Sequence, residues 1–212
     1  MADNYLEKRY LECFGPDSTP KRKVLIRNQS IDNLLLKNRS YRAYDQSYKV
    51  SMEELREIVS VAAKVPSARN QQALRFKLVT SAESAPIVES LHLGGALPEL
   101  HLPHEGSAPE AFIIVCSVAS DRYVDIDLGI VAQSMLLKAV DMNLGGICIG
   151  AFDKELAMTE YGLPSQPILM IAIGKPAEKI QLISVKDGDS LKYYRKSGIH
   201  FVPKLSVDDL II

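Results

Sequence analysis

Two segments, Arg39-Ser40-Tyr41-Arg42 and Pro66-Ser67-Ala68-Arg69-Asn70-Gln71-Gln72, lie on either side of one predicted helix. That helix begins with Ser51-Met52-Glu53-Glu54, in which serine takes the N-cap position and glutamate the N3 position of a capping box. Its apolar residues recur at helical spacing as far as Pro66, which ends it because the residue before a proline disfavours helical geometry. We predict the fold and the site by working outward from this unit.

The remaining hydrophobic pattern predicts further helices and several buried strands. Helices are expected from Ser30 to Asn38, from Val124 to Asn143 with Gly145-Gly146 ending it, and from Asp153 to Gly162, and strands at Phe76–Val79, Ala111–Cys116, Ile147–Ile149 and Ile168–Ile173. Residues 94–110 are expected to form a long loop, and Val207–Ile212 an extended tail. Because strands and helices alternate only loosely, the pattern favours an α+β fold over a doubly wound α/β sheet.

Length and composition indicate one main domain with an appended arm. The chain has 212 residues, of which 47% are hydrophobic, enough for a single core. Residues 1–29 are predicted to be an N-terminal arm, since residues 15–23 are charged and rich in turn formers. Residues 30–212 are predicted to be the functional domain.

Several classes of partner receive no support from the sequence. The 25 basic and 26 acidic residues are balanced, so the charge does not indicate nucleic acid. Neither the three scattered cysteines nor the His101–His104 pair has the spacing of a metal site. No run approaches the roughly 18 apolar residues of a membrane helix, and the N-terminus lacks the apolar segment of a signal peptide. The expectation is a cytoplasmic protein without metal, nucleic acid or membrane as a partner.

The first segment has the residue types that bind a phosphate monoester. Arginine supplies a planar fork of donors and serine adds a hydroxyl group. In extended backbone, Arg39 and Tyr41 would face one way and Ser40 and Arg42 the other, so joint use of Arg39, Ser40 and Arg42 requires a bend after the helix. The alternative is a solvated basic turn paired with Asp45 or Glu53.

The second segment has the residues of a tight, polar loop. Pro66 fixes φ, Ser67 and Asn70 favour turns, and Gln72 adds an amide. Such groups can match the donors and acceptors along the pyrimidine edge of a flavin, although an ordinary helix-to-strand connection would have the same composition. A third stretch, Gly145–Phe152, is rich in small residues that let backbone approach a planar ligand, but a tight turn would explain Gly145 equally well.

Taken in order, these segments resemble the FMN-dependent nitroreductase family. The resemblance includes Asp127-Leu128-Gly129 with Gln133 on one helix, and Ile173-Gly174-Lys175-Pro176 after the last buried strand. It implies an α+β, nitroreductase-like three-layer sandwich and an intertwined homodimer with FMN at the subunit interface.

The resemblance also implies a set of cofactor-binding residues. Arg39 and Ser40 would contact the FMN phosphate with Lys204 closing on it, and Arg42 would reach the ribityl chain and the N1–O2 edge. From the partner subunit, the ring would be lined by Pro66, Ser67 and Ala68, with Asn70 and Gln72 nearby. The other side of the ring would be approached by Ile149, Gly150 and Ala151. This chain has Asn38 and Leu205 where many relatives have arginine. Arg195 is the residue expected to compensate.

The implied activity is that of an NAD(P)H oxidoreductase with a ping-pong mechanism. NADH or NADPH would deliver hydride to flavin N5, and a small electron-poor acceptor, such as a nitroaromatic or a quinone, would then be reduced. No catalytic side chain is expected because the cofactor carries the chemistry, and Arg42 would stabilise the reduced flavin. The alternatives are other chemistry on the same scaffold (reductive dehalogenation, azole oxidation or flavin fragmentation) and a flavin-binding protein without turnover.

Overall fold

A computed structural model describes residues 29–95 and 97–212 of the chain. Ile31–Ile212 form one structural unit. The predicted N-terminal arm, apart from Gln29, lies outside the described residues, and so does Ala96 of the predicted loop. In the described part of the chain, no helix has both the length and the apolar character needed to cross a membrane.

The unit contains six helices and seven strands among the described residues. In chain order they are α1 (Ile31–Lys37), α2 (Met52–Val59), β1 (Leu74–Val79), α3 (Ala85–Ser90), β2 (Ala111–Ser117), α4 (Tyr123–Asp141), β3 (Gly145–Ile149), α5 (Lys154–Tyr161), β4 (Pro167–Gly174), β5 (Lys179–Val185), β6 (Tyr194–Lys196), β7 (Ile199–Leu205) and α6 (Val207–Leu210). Short 3₁₀ turns occur at Ser60–Ala63, Ala68–Asn70 and Pro98–Leu100.

The main sheet has the strand order β1-β2-β4-β3, and all its neighbouring strands are antiparallel. Strand β2 is buried on both faces, so its residues alternate between two apolar clusters. Ile113 packs with helices α2 and α4, whereas Phe112 packs with helices α3 and α5. Helices therefore cover both faces, which gives the α+β three-layer sandwich that the sequence predicts.

A second, smaller sheet has the order β5-β7-β6. Strand β7 is parallel to β5 and antiparallel to β6. The register places His200 opposite Ile180 on one side and opposite Arg195 on the other. This sheet thus brings residues from three separate segments to one place near the end of the chain.

Gly145 and Gly146 lie inside strand β3, and the prediction that they end the preceding helix is wrong. Helix α4 stops at Asp141, and Asn143 provides the left-handed conformation with φ 60°. A Cβ atom on Gly145 would lie 2.5 Å from the ring of Tyr41, and one on Gly146 would lie 2.8 Å from the side chain of Leu136. The glycines are thus required by close packing on both faces of the strand.

Other local predictions meet mixed outcomes. The capping box is confirmed: Ser51 Oγ accepts from Glu54 N–H, and the Glu54 carboxylate accepts from Ser51 N–H. The predicted extended tail is wrong at Val207–Leu210, which form one helical turn because Ser206 Oγ accepts from Asp209 N–H. Helix α3 and strands β5 and β6 were not predicted, although the alternation in Lys179-Ile180-Gln181-Leu182 of β5 is a strand signal.

Replacing Gly146 by alanine should destabilise the protein. The added methyl group would meet the Ala172 carbonyl oxygen and Leu136, so the free energy of unfolding should fall by about 1–3 kcal/mol in urea titrations. Gly129→Ala is the matched control, because nothing lies within 4 Å of its Cβ position on helix α4. That variant should gain up to about 1 kcal/mol. Equal effects of the two substitutions would contradict the packing argument.

Candidate functional site

The segment after helix α1 contains the bend that joint use of its polar residues requires. Tyr41 N–H donates to the Arg39 carbonyl oxygen at 2.9 Å, which closes a three-residue turn around Ser40. Ser40 also forms an isolated parallel bridge with Gly146 of strand β3. The bend brings Arg39, Ser40 and Arg42 to one cavity instead of opposite faces.

This cavity, called the clamp cavity below, has a volume of about 300 Å³. It lies between the end of helix α1, helix α4 and the small sheet. Its lining residues are Asn38, Arg39, Ser40, Arg42, Gln133, Leu136, Ile180, Tyr193, His200, Val202 and Lys204. The walls therefore combine three cationic side chains with two hydroxyl groups, two amides and a histidine, and none of these lining side chains is a carboxylate.

Three donors in the clamp cavity are buried and have no hydrogen-bond partner: Arg39 Nε, Arg42 Nε and His200 Nε2. Buried polar groups are usually paired, because an unpaired one costs about 1–3 kcal/mol. Burial also lowers the pKa of the Arg39 guanidinium, so its charge is held there against a desolvation cost. A ligand with several acceptor oxygens, among them those of a phosphate monoester, would satisfy these donors.

The other guanidinium nitrogens orient the two arginines. Arg39 Nη2 donates to the Leu35 carbonyl oxygen at 2.5 Å, and Arg42 Nη1 donates to the Ser40 carbonyl oxygen at 2.9 Å. The Arg42 guanidinium also lies 5.0 Å from the ring centroid of Tyr193, within the range of a cation–π contact. Each arginine is thus fixed by a hydrogen bond from one of its Nη atoms to a backbone carbonyl oxygen, while its Nε has no partner.

Glu178 fixes the rear of the clamp cavity. Its Oε1 accepts from the Arg42 backbone N–H, and its Oε2 accepts from Arg195 Nη2 at 2.5 Å. Arg195 Nε in turn donates to His200 Nδ1 at 3.3 Å. Arg195 therefore supports His200 and is not among the residues lining the cavity, where sequence reasoning expected it to contact the cofactor.

His200 is 2% exposed and remains neutral over a wide pH range. Burial, followed by the charges of Arg42 and Arg195, lowers the pKa of its imidazole to about 4. Because Nδ1 accepts from Arg195, the proton of the neutral ring is on Nε2, which is buried and has no hydrogen-bond partner.

Sequence reasoning missed Glu178, Tyr193 and His200 as site residues. A usable signal for His200 was present, because residues two apart on a strand share a face. His200 and Val202 therefore lie on the same side of β7 as Lys204, which was predicted. Glu178 and Tyr193 gave no comparable signal, since each directly precedes a strand that was not predicted.

The second segment forms a strained loop held by a buried carboxylate. Asp127 on helix α4 is 1% exposed and accepts from the Ala68 N–H at 2.8 Å and from Gln71 Nε2 at 3.4 Å. Arg69, Asn70 and Gln72 have φ of 52°, 52° and 46°, a region that side chains rarely adopt. Such strain persists where the surroundings enforce it, and it is common at ligand sites.

The loop borders a second cavity of about 660 Å³, called the loop cavity below. Its lining residues are Met52, Arg56, Val59, Ser60, Ala62, Ala63, Val65, Pro66, Ser67, Gln72, Ala73, Leu74, Arg75, Phe76, Leu78, Asp127 and Val131. Of the five loop residues predicted at the cofactor, Pro66, Ser67 and Gln72 line this cavity, and Ala68 and Asn70 do not. Its volume is typical of a small-molecule site.

The three predicted residues at the end of strand β3 line neither of these cavities. Ile149 is 5% exposed and packs among the apolar residues under helices α3 and α5. Ala151 borders a much smaller space of about 10 Å³. Gly150 is exposed, with nothing within 4 Å of its Cβ position, so its backbone is open to a ligand or a second chain.

Helix α4 separates the two cavities. Asp127 and Val131 face the loop cavity, whereas Gln133 and Leu136 face the clamp cavity. At 100° per residue, the side chains of the first pair project about 40° apart around the helix axis, and those of the second pair project from the opposite side of the helix. The cavities share no lining residue, so one chain does not place its arginine clamp and its polar loop around a single ligand.

Comparison with known proteins identifies the family. The sequence model of the nitroreductase family matches residues 35–175, about two thirds of the chain. The chain therefore belongs to the nitroreductase family. The match ends at Lys175, so the small sheet with Glu178, Arg195 and His200 lies beyond it.

Individual relatives agree with this assignment. YdgI of Bacillus subtilis, which carries a provisional NAD(P)H nitroreductase name, is 25% identical, with 73% of this chain and 92% of YdgI covered. A nitroreductase family protein from Streptococcus pneumoniae TIGR4 superposes with a TM-score of 0.58 at 17% identity, covering 72% of this chain and 93% of its own. FMN-dependent NfnB from Mycobacterium smegmatis, solved with NADPH, gives a TM-score of 0.57 at 15% identity, covering 68% and 86%. The structural likenesses confirm the predicted fold.

The neutral His200 should make stability depend on pH. Its pKa is about 4 in the folded protein and about 6.5 when unfolded, so below pH 6.5 the unfolded state binds the extra proton. As the pH falls from 7 to 4.5, the free energy of unfolding of the wild-type protein should therefore decrease by about 2–3 kcal/mol more than that of His200→Gln. Urea unfolding of both proteins across this range measures the difference. Parallel curves would show that His200 titrates normally.

Proposed function

We propose that this protein is an FMN-dependent NAD(P)H oxidoreductase that reduces small electron-poor acceptors by a ping-pong mechanism. One observation supports it above the others: three buried, unpartnered donors belong to Arg39, Arg42 and His200, which line one cavity in a chain of the nitroreductase family. That donor set fits the phosphate of FMN together with the adjoining ribityl chain. Relatives whose names include FMN, NADPH or NAD(P)H support the same cofactor and donor.

The chain's own residues bind and orient, and the cofactor carries the redox step. FMN, when bound, supplies the two-electron chemistry between NADH or NADPH and the acceptor. Arg39, Ser40 and Lys204 would hold the phosphate, and Arg42 would place its charge toward the ribityl side. Among the described residues, none of the lining side chains of the clamp cavity is a carboxylate that would compete with that anion.

The polar loop would lie along the flavin ring. Pro66, Ser67 and Gln72 already border a cavity of about 660 Å³, and Asp127 holds the loop in its strained conformation. Ala68 and Asn70 belong to the same turn, and Ile149, Gly150 and Ala151 would approach the opposite face of the ring. A largely apolar space of this size suits a flat aromatic acceptor, and we take nitroaromatics and quinones as the candidate class.

A homodimer would complete each site. Since helix α4 separates the clamp cavity from the loop cavity, a flavin bound to the clamp of one chain must take its loop from a second chain. The exposed backbone of Gly150 leaves room for such an approach. In this proposal residues 30–212 form the FMN-binding domain, residues 1–29 remain an appended arm, and the enzyme works in the cytoplasm, where NADH and NADPH are available.

The first test is whether the protein binds FMN and uses it. The purified protein should be yellow, or become yellow with added FMN, and should oxidise NADH or NADPH when a quinone or nitroaromatic is present. Arg39→Ala should weaken FMN binding about tenfold or more but leave riboflavin, which has no phosphate, nearly unaffected. Lys196→Ala, an equal charge change at an exposed position, is the control.

A colourless protein that FMN cannot reconstitute would overturn the proposed function. Bound FMN with no oxidation of NADH or NADPH would instead support a flavin-binding protein without turnover. Turnover of a halogenated or azole substrate in preference to the quinone would assign a different reaction to the same scaffold.

The shared site can be tested with mixed dimers. Arg39→Ala/Arg42→Ala removes the clamp, and Ser67→Trp fills the loop cavity, so either homodimer should retain little FMN. A mixed dimer, co-expressed with two affinity tags, has one site that receives an intact clamp from one chain and an intact loop from the other. It should therefore bind one FMN per dimer, measured from flavin absorbance. If both elements came from the same chain, the mixed dimer would bind none.

A further inference from the structure

The small sheet contains an arrangement that neither the family match nor the predicted clamp accounts for. Glu178, Arg195 and His200 form a hydrogen-bonded series that starts at the Arg42 backbone and ends at His200, a residue that lines the clamp cavity and has an unpartnered Nε2. We propose that His200 is a phosphate-binding residue of this protein, a neutral donor whose Nε2–H is directed at the phosphate by the Glu178–Arg195 pair. This proposal rests on the proposed function, since it assigns a contact within that site.

The position of His200 is fixed by its neighbours. The register of β6 and β7 places Arg195 and His200 directly opposite each other. The Tyr193 ring packs on the imidazole, with 5.0 Å between centroids and 37° between planes. The ring therefore has hydrogen bonding at one edge and aromatic packing on one face, while its Nε2 has no hydrogen-bond partner.

The tautomer follows from the hydrogen bond to Arg195. Arg195 Nε can only donate, so His200 Nδ1 must accept with its lone pair. In neutral imidazole the other nitrogen then bears the hydrogen, and Nε2 becomes a donor. Glu178 maintains this state, because its Oε2 holds Arg195 in place at 2.5 Å and leaves Arg195 Nε aimed at the ring. Glu178 and Arg195 are therefore positioning residues.

A neutral donor suits a cavity that already contains three cations. Arg39, Arg42 and Lys204 line the same walls, so a fourth positive charge would add to the repulsion among them. The buried Nε2 without a partner points to a ligand, because such a donor is costly unless an acceptor is supplied. Phosphate oxygens would be acceptors of the required charge.

The test compares FMN with riboflavin, which differ in the phosphate. Fluorescence titrations of the flavin-free protein should show that His200→Phe weakens FMN affinity about tenfold to a hundredfold, the range for a hydrogen bond to a charged group. Riboflavin affinity should change less than about twofold. His200→Gln, which keeps an N–H donor, should recover part of the loss, and His92→Gln at an exposed position is the control.

Glu178→Gln should reproduce the selective loss in weaker form while His200 itself is unchanged. Nitrogen-15 NMR of the wild-type protein gives an independent readout if His200→Phe does not fold. The spectrum should show an Nε2–H tautomer, whose proton shifts downfield with FMN and not with riboflavin.

Two results would overturn the proposal in distinguishable ways. One result is that the wild-type protein prefers FMN over riboflavin and that His200→Phe has the same preference. In that case His200 does not contact the phosphate, and the proposed function stands. If the wild-type protein binds neither flavin, both proposals fail. An unshifted Nε2 proton in an FMN-saturated sample would also exclude the contact.

Discussion

The close approach of chain segments around Gly145 and Gly146 is the constraint on which the site depends. Strand β3 carries no side chain at these positions, so Tyr41 can pack against it and Ser40 can form a bridge with it. That bridge fixes the three-residue turn that turns Arg39 and Arg42 toward the same cavity. On the other face of Gly146, Leu136 packs close to the strand and helix α4 becomes the opposite wall of the cavity.

The positive charges in the clamp cavity lie beside a carboxylate that does not pair with their side chains. The Glu178 carboxylate lies beside Arg42, but its two oxygens accept from the Arg42 backbone and from Arg195. It fixes the geometry of the wall but leaves the side chains of Arg39, Arg42 and Lys204 unneutralised. These charges give the cavity a positive potential, and an anion that binds there would relieve the repulsion among them.

Local sequence signals were sufficient for most of the main sheet and for the ends of several helices. The capping box at Ser51 and the Asp153 cap depend on side chains a few residues apart, so they can be recognised without the tertiary structure. The Gly145-Gly146 pair could not be interpreted in this way. Its role depends on Tyr41 and Leu136, which come from distant segments, and a glycine pair after a helix has the same local signature as a helix end.

The same dependence on tertiary contacts explains why the candidate site was predicted only in part. Arg39, Ser40, Arg42 and Lys204 have side chains suited to a phosphate, and the structure brings them into one cavity. Arg195 has the same chemistry but lies behind His200, because an ion pair with Glu178 takes its guanidinium. Residue type can thus predict which groups could bind an anion, but only tertiary contacts decide which of them remain available for it.

Helix α4 connects these features to assembly. One face anchors the strained loop through Asp127, and the opposite face provides Gln133 and Leu136 to the clamp cavity. Because the helix has both functions, a change in its position would alter the loop and the clamp together. If the flavin site is completed by a second chain, FMN binds the dimer and not the single chain, and it must therefore stabilise the dimer by mass action. Cofactor affinity would then depend on protein concentration, and at low concentration loss of FMN and dissociation of the subunits would be one coupled equilibrium.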